Sequence, residues 1–135
     1  MKIGVPKEIK PQETRIGLTP DSVKDLVSNG HEVLVENKGG HEAGFENSHY
    51  TTAGAKIVDK AEDIFNDSEI IVKVKEPLLN EVKMIRENQI IYTYLHLAAA
   101  KELTHGLIKT KSICIAYETV TDDNGRLPLL APMSA

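Results

Sequence analysis

The stretch Gln89-Ile-Ile-Tyr-Thr-Tyr-Leu-His-Leu-Ala98 decides the fold, because it is a run of β-branched and aromatic residues that ends on one titratable group, His96. Such a run is typical of a buried strand. An earlier run, Glu69-Ile-Ile-Val-Lys-Val-Lys-Glu-Pro77, repeats the pattern, carries Lys75 near its end and stops at a proline. Near the start, Lys2-Ile-Gly-Val5 precedes a polar loop that contains Arg15. We predict that these three strands lie side by side.

Helical patterns separate the predicted strands. Thr19 can cap a helix whose first position is Pro20, and Asn29-Gly30 can end it. Asp59 with Glu62 resembles a capping box for a later helix. Strands that alternate with helices in this way predict an α/β fold with a mostly parallel sheet, wound with helices on both faces.

The chain is long enough for one domain at most, and it can bury a core without disulfides or metal. Ser112-Ile-Cys-Ile-Ala-Tyr117 reads as a final strand. After it, Leu127 to Ala135 forms an apolar tail, broken by prolines, that has no obvious strand partner. The chain therefore looks cut off.

Composition excludes several classes of protein. The net charge is −4 and no basic patch is interleaved with aromatic residues, which argues against nucleic acid as a partner. The longest apolar runs are too short to span a bilayer, so no membrane partner is expected. The single Cys114 cannot form an internal disulfide, and Met1 is followed by no secretion signal, so we expect a cytoplasmic protein. The spacing of the histidines fits no metal motif.

Three residues are candidates for chemistry. Ligands of open parallel sheets bind beyond the carboxyl ends of the strands, where Arg15, Lys75 and His96 are all expected. A guanidinium and an ammonium could hold a small carboxylate or keto acid, and His96 could act as the acid or base. Taken singly, each of the three is more often a surface or structural residue. Lys73 could be a second contact for a phosphate or the substrate, but we expect it to be solvated.

The glycine-rich stretch Gly39-Gly-His-Glu-Ala-Gly44 does not have the spacing of a phosphate loop and is expected to be a flexible turn. No Gly-x-Gly-x-x-Gly occurs in the chain, so no motif here predicts a nicotinamide cofactor.

Several stretches together resemble the amino-terminal segment of the alanine dehydrogenases, in the family shared with the nicotinamide-nucleotide transhydrogenases. The resemblance covers essentially the whole chain. Its stretches are Met1-Lys-Ile-Gly-Val-Pro-Lys-Glu-Ile-Lys10, Glu13-Thr-Arg-Ile-Gly-Leu-Thr-Pro20, Ile71-Val-Lys-Val-Lys-Glu-Pro77, Thr93-Tyr-Leu-His-Leu-Ala98, Ile115-Ala-Tyr-Glu-Thr119 and Ala131-Pro-Met-Ser134.

The resemblance implies that residues 1–135 are the amino-terminal part of an incomplete flavodoxin-like or Rossmann-like substrate domain. It also implies the reversible, NAD-dependent deamination of L-alanine to pyruvate and ammonia. It implies that Arg15 and Lys75 bind the substrate, that His96 transfers a proton, and that Met133 and Ser134 approach the cofactor. The nucleotide-binding domain of the family is absent from these residues, so the chain alone is expected to be inactive. The resemblance also implies a homohexamer for the intact enzyme.

Other functions stay open at this point. A nucleotide-binding subunit of a proton-translocating transhydrogenase shares the fold, although Thr93-Tyr-Leu-His96 favours the dehydrogenase. The saccharopine dehydrogenases are a more distant resemblance. A non-catalytic binding module is the alternative from a different class.

Overall fold

The computed structural model describes residues 1–9, 13–75, 77–93 and 110–116, which form one parallel sheet with helices on both faces. The strands of this part are Lys2–Val5 (β1), Glu32–Glu36 (β2), Lys56–Val58 (β3), Ile70–Val72 (β4), Ile90–Thr93 (β5) and Ile113–Ala116 (β6). Their order is β3-β2-β1-β4-β5-β6, and every neighbouring pair is parallel. The predicted fold class is confirmed.

Side chains that alternate along the strands build a separate core on each face of the sheet. On β2, Val33 and Val35 belong to one core and Leu34 to the other, as expected of a strand covered on both sides. The helices are Pro20–Ser28 (α1) and Asn47–Thr52 (α2) on the first face, and Ala61–Asp67 (α3) and Leu79–Val82 (α4) on the second. Strand residues thus contribute to both cores, each of which is completed by helices and loops of its own face.

The signals for the first helix are confirmed, and those for α3 are not. The Thr19 hydroxyl accepts a hydrogen bond from the Ser22 amide at 3.3 Å, and Pro20 opens α1. The helix ends before Asn29, and Gly30 follows with a φ of 89°. The capping box predicted at Asp59 is wrong, because α3 begins only at Ala61 and has no side-chain cap.

The order of the strands creates a switch point between β1 and β4. The chain leaves β1 towards β2 on one side, whereas β4 lies against β1 on the other side and the chain continues from it towards β5. The two connections diverge, which opens a crevice beyond the carboxyl ends of these strands. Arg15 and Lys75 lie on the two segments that leave those ends.

Tyr50 ties α2 to the segment that precedes α1. It is fully buried, and its hydroxyl donates to the Leu18 carbonyl oxygen at 2.8 Å. Burial raises the pKa of Tyr50 to about 12. Gly40, in the stretch predicted as a flexible turn, packs so closely that a Cβ there would lie 2.7 Å from the Tyr50 ring. The stretch folds against the ring and includes a 3-10 helix, His41–Ala43.

The Tyr50→Phe variant should lower the free energy of unfolding by about 1 kcal/mol, because the partly buried Leu18 carbonyl loses its donor while the ring packing is kept. The measurement is urea unfolding of the 135-residue chain. Thr51→Val is the matched control, since it removes an exposed hydroxyl from the same helix and should change stability by less than about 0.5 kcal/mol. Equal stability of Tyr50→Phe and the unsubstituted chain would contradict this account.

Candidate functional site

Lys73, the first residue after β4, is buried between two carboxylates. Its Nζ lies 3.1 Å from Glu8 Oε1 and 3.1 Å from Glu81 Oε2, and only 1% of its side chain is exposed. The expectation that Lys73 is solvated is therefore wrong. The reason is tertiary: the loop after β1 supplies Glu8 and helix α4 supplies Glu81, and both meet the end of β4.

Glu8 also binds the backbone of the chain that follows β4. Its Oε2 accepts from the Val74 amide at 3.2 Å and its Oε1 from the Lys75 amide at 3.2 Å. Burial raises the pKa of the Glu8 carboxyl, although the charge of Lys73 and the two backbone N–H groups oppose the shift. Three donors thus converge on one buried carboxylate and offset part of the cost of burying its charge.

The peptide groups of Lys75 are held by side chains from two other parts of the chain. Its amide donates to Glu8, as above, and its carbonyl oxygen accepts a hydrogen bond from Thr93 Oγ1 at 2.6 Å. Thr93 is the last residue of β5 and is fully buried. Lys75 lies beyond the end of β4, so these two side chains bind its backbone where the strand no longer does.

Arg15 forms a two-pronged ion pair with Glu13. Its Nε lies 2.7 Å from Glu13 Oε1, and its Nη2 lies 3.2 Å from Glu13 Oε2. The Arg15 side chain is 48% exposed, whereas that of Glu13 is 6% exposed. A half-exposed guanidinium that already grips one carboxylate has the geometry to grip another.

Glu13 links the two predicted cations. Burial disfavours its charged form, but the hydrogen bonds and the charge of Arg15, together with the charge of Lys75, lower the pKa of the Glu13 carboxyl. Both cations therefore act on the same carboxylate, which supports the prediction that they lie at one site.

Sequence reasoning missed Glu8, Glu13, Glu81 and Thr93. Lys73 and Lys75 both follow β4, so the strand period gives no signal for the burial of Lys73, and a buried lysine requires a carboxylate that only the folded chain supplies.

The loop that carries Arg15 crosses the end of β4 at close range. A Cβ at Gly17 would lie 2.5 Å from the Val72 carbonyl oxygen, so a larger residue would push the loop away. A mainly apolar cavity of about 420 Å³ opens beside this crossing. It is lined by Arg15, Ile16, Gly17, Thr19, Ala43, Phe45, Val72, Lys73, Val74 and Tyr92.

The other predicted site residues, His96, Met133 and Ser134, lie outside the described residues. The described part of β5 ends at Thr93, three residues before His96 along the chain. Within the described ranges, no cluster of three or more His, Cys, Asp or Glu side chains could hold a metal ion. No helix in those ranges is long and apolar enough to cross a membrane.

Comparison with known proteins identifies the family. Residues 4–135 match the family model described as "Alanine dehydrogenase/PNT, N-terminal domain". The alanine dehydrogenase of Staphylococcus epidermidis is 53% identical over 134 residues, and that of Geobacillus stearothermophilus is 49% identical over 134 residues. Each alignment covers 99% of this chain and 36% of the relative, so the chain spans little more than a third of their length.

Solved structures agree with the sequence matches. An L-alanine dehydrogenase superposes with a TM-score of 0.96 at 52% identity, covering 99% of this chain and 37% of that one. A transhydrogenase from Sinorhizobium meliloti superposes with a TM-score of 0.82 at 25% identity, covering 87% of this chain and 35% of that one. The chain therefore belongs to the alanine dehydrogenase/PNT family and corresponds to its N-terminal domain.

Proposed function

We propose that the chain is the amino-terminal, substrate-binding segment of an NAD-dependent L-alanine dehydrogenase. The complete enzyme would convert L-alanine, NAD and water to pyruvate, ammonia and NADH, and the reverse. The observation that carries this proposal is the 53% identity to an alanine dehydrogenase over nearly the whole chain. The likeness to a transhydrogenase is weaker, at 25% identity.

In this proposal Arg15 binds the substrate carboxylate. The fork of its guanidinium is already arranged around the carboxylate of Glu13, and a substrate carboxylate offers the same pair of oxygens. Since Arg15 is half exposed, a small ligand can approach it without unfolding the loop. A substrate carboxylate then shares Arg15 with Glu13 or replaces it.

Lys75 contacts the keto or amino group of the substrate, and His96 donates or accepts the proton at the substrate oxygen. Lys75 is half-buried at the switch point, and its charge acts on the same Glu13 carboxylate that Arg15 grips. Two cations at one site favour an anionic ligand and hold it in a fixed orientation. Pyruvate and alanine both carry the required carboxylate.

The residues of this chain do not by themselves fit a dinucleotide. The 135 residues contain no Gly-x-Gly-x-x-Gly fingerprint, so NAD would be held mainly by another domain, with Met133 and Ser134 approaching the nicotinamide. NAD supplies hydride transfer at the substrate carbon when it is bound. This chain contributes the binding of the substrate and the transfer of the proton. We further propose that the complete enzyme is a cytoplasmic homohexamer.

The isolated chain should turn over little or no alanine, because the nucleotide domain of the proposed enzyme is absent from it. The measurement is NADH absorbance after L-alanine and NAD are mixed with the purified 135-residue chain. The full-length enzyme, assayed in parallel, is the positive control. Turnover close to that of the full-length enzyme would contradict the division of roles proposed here.

In the full-length enzyme, Arg15→Met should raise the KM for pyruvate by about 10- to 100-fold, the effect of losing charge-assisted hydrogen bonds to the carboxylate. Arg15→Lys should recover only part of this loss, because an ammonium cannot form the fork. Lys75→Met should also raise this KM.

Lys24→Met is the matched control for these variants, since Lys24 is an exposed lysine of α1. Its KM for pyruvate should equal that of the unsubstituted enzyme. Unchanged alanine oxidation in Arg15→Met and in His96→Ala would replace the enzymatic proposal with a non-catalytic binding module.

A further inference from the structure

Lys75 is fixed in place by two side chains that grip its backbone from opposite sides. The Glu8 carboxylate accepts from its N–H at 3.2 Å, and the Thr93 hydroxyl donates to its carbonyl oxygen at 2.6 Å. Glu8 comes from the loop after β1 and Thr93 from the end of β5. The two residues are 85 positions apart in the sequence, and both bind the peptide groups of Lys75.

Both side chains are shielded from water. Glu8 is 6% exposed and Thr93 is 0% exposed. The two hydrogen bonds themselves are partly buried, so losing either one would leave a partly shielded peptide group that must move or find another partner. The direction of the Lys75 side chain depends on the orientation of its own backbone. The two contacts therefore fix the peptide from which the Lys75 side chain starts, and with it the direction in which that side chain leaves the backbone.

We propose that Glu8 and Thr93 are positioning residues for Lys75, and that they set the affinity for the substrate without touching it. The inference rests on the proposed role of Lys75 in binding the substrate. It goes beyond that role because it assigns a function to two buried residues. A misplacement of about 1 Å at a binding group can cost about 100-fold in rate, so a small rotation of this peptide is enough to matter.

The contacts of Glu8 separate it from its neighbour Glu81. Both carboxylates lie 3.1 Å from Lys73 Nζ. Glu8 in addition binds the amides of Val74 and Lys75, whereas the second oxygen of Glu81 accepts from the Leu78 amide at 3.0 Å. The two glutamates therefore share the ion pair, and Glu8 alone of the two binds the Lys75 amide. This difference provides a matched pair of variants.

The first test is the Thr93→Val variant of the full-length enzyme, because valine keeps the shape of threonine and lacks the hydroxyl. The KM for pyruvate should rise about tenfold, the size expected for one hydrogen bond, while the KM for NADH stays the same. Thr93→Ser keeps the hydroxyl and should restore most of the affinity. A merely structural effect would reduce the folded fraction, which lowers the apparent kcat and leaves this KM unchanged.

The second test compares Glu8→Gln with Glu81→Gln. Glu8→Gln should raise the KM for pyruvate several-fold, because an amide can present only one acceptor oxygen to the three donors that Glu8 now binds. Glu81→Gln should lower the melting temperature and leave the KM for pyruvate unchanged. An equal rise in KM for both variants would overturn the inference, since the shared ion pair with Lys73 would then be the cause.

The third test repeats Thr93→Val in the Lys75→Met background. If Thr93 acts through Lys75, the second substitution adds no further rise in the KM for pyruvate. A full additional rise would show that Thr93 acts through another group and would overturn the inference.

Two results separate this inference from the proposed function on which it rests. An unchanged KM in Lys75→Met would overturn the role of Lys75 and this inference with it. A raised KM in Lys75→Met, together with unchanged values in Thr93→Val and Glu8→Gln, would overturn the positioning roles alone.

Discussion

The buried ion cluster of Lys73, Glu8 and Glu81 is the constraint on which the switch point depends. Lys73 extends from the end of β4, Glu8 from the loop after β1, and Glu81 from α4. A charge removed from water is stable only when partners surround it, so burial of Lys73 requires all three segments to meet. The three segments therefore meet just beyond the carboxyl end of β4. The segments that carry Arg15 and Lys75 both pass this meeting point.

The cluster fixes the position of these segments, but it adds less to the free energy of unfolding than its number of ion pairs and hydrogen bonds suggests. Two carboxylates around one ammonium leave an excess negative charge, and backbone amides of Val74, Lys75 and Leu78 offset it by donating to the carboxylate oxygens. Desolvation of three ions costs several kcal/mol per ion, so a buried ion pair is often no more stabilising than apolar residues of similar size. Its effect here is geometric, because each backbone amide that binds a carboxylate also fixes a segment of chain.

The amino-acid sequence predicted the layout of the sheet much better than the details of the site. The β-branched runs around Val35 and Ile71 and the cap formed by Thr19 and Pro20 are local signals, and each matches the structure. The environment of Lys73 is not local, because its partner Glu8 lies 65 residues away. A lysine after a strand looks solvated until the loop that covers it is known. Arg15 and Lys75 were predictable as cations beyond strand ends. Glu13, whose pKa both cations lower, was not predictable, because nothing distinguishes it from the other polar residues of its loop.

Two lysines two positions apart in sequence, Lys73 and Lys75, have different surroundings in the fold. The side chain of Lys73 is 1% exposed, and its ammonium group is paired with Glu8 and Glu81. Lys75 contributes its peptide groups to the internal contacts with Glu8 and Thr93, and its side chain stays half-buried at the rim. A charge held in this way can face a ligand without being neutralised by the carboxylate that positions it, since that carboxylate already pairs with Lys73. The ion cluster therefore supplies both the anchor for the Lys75 backbone and the counter-charge of that anchor, which would leave Lys75 able to face the anionic substrate proposed above.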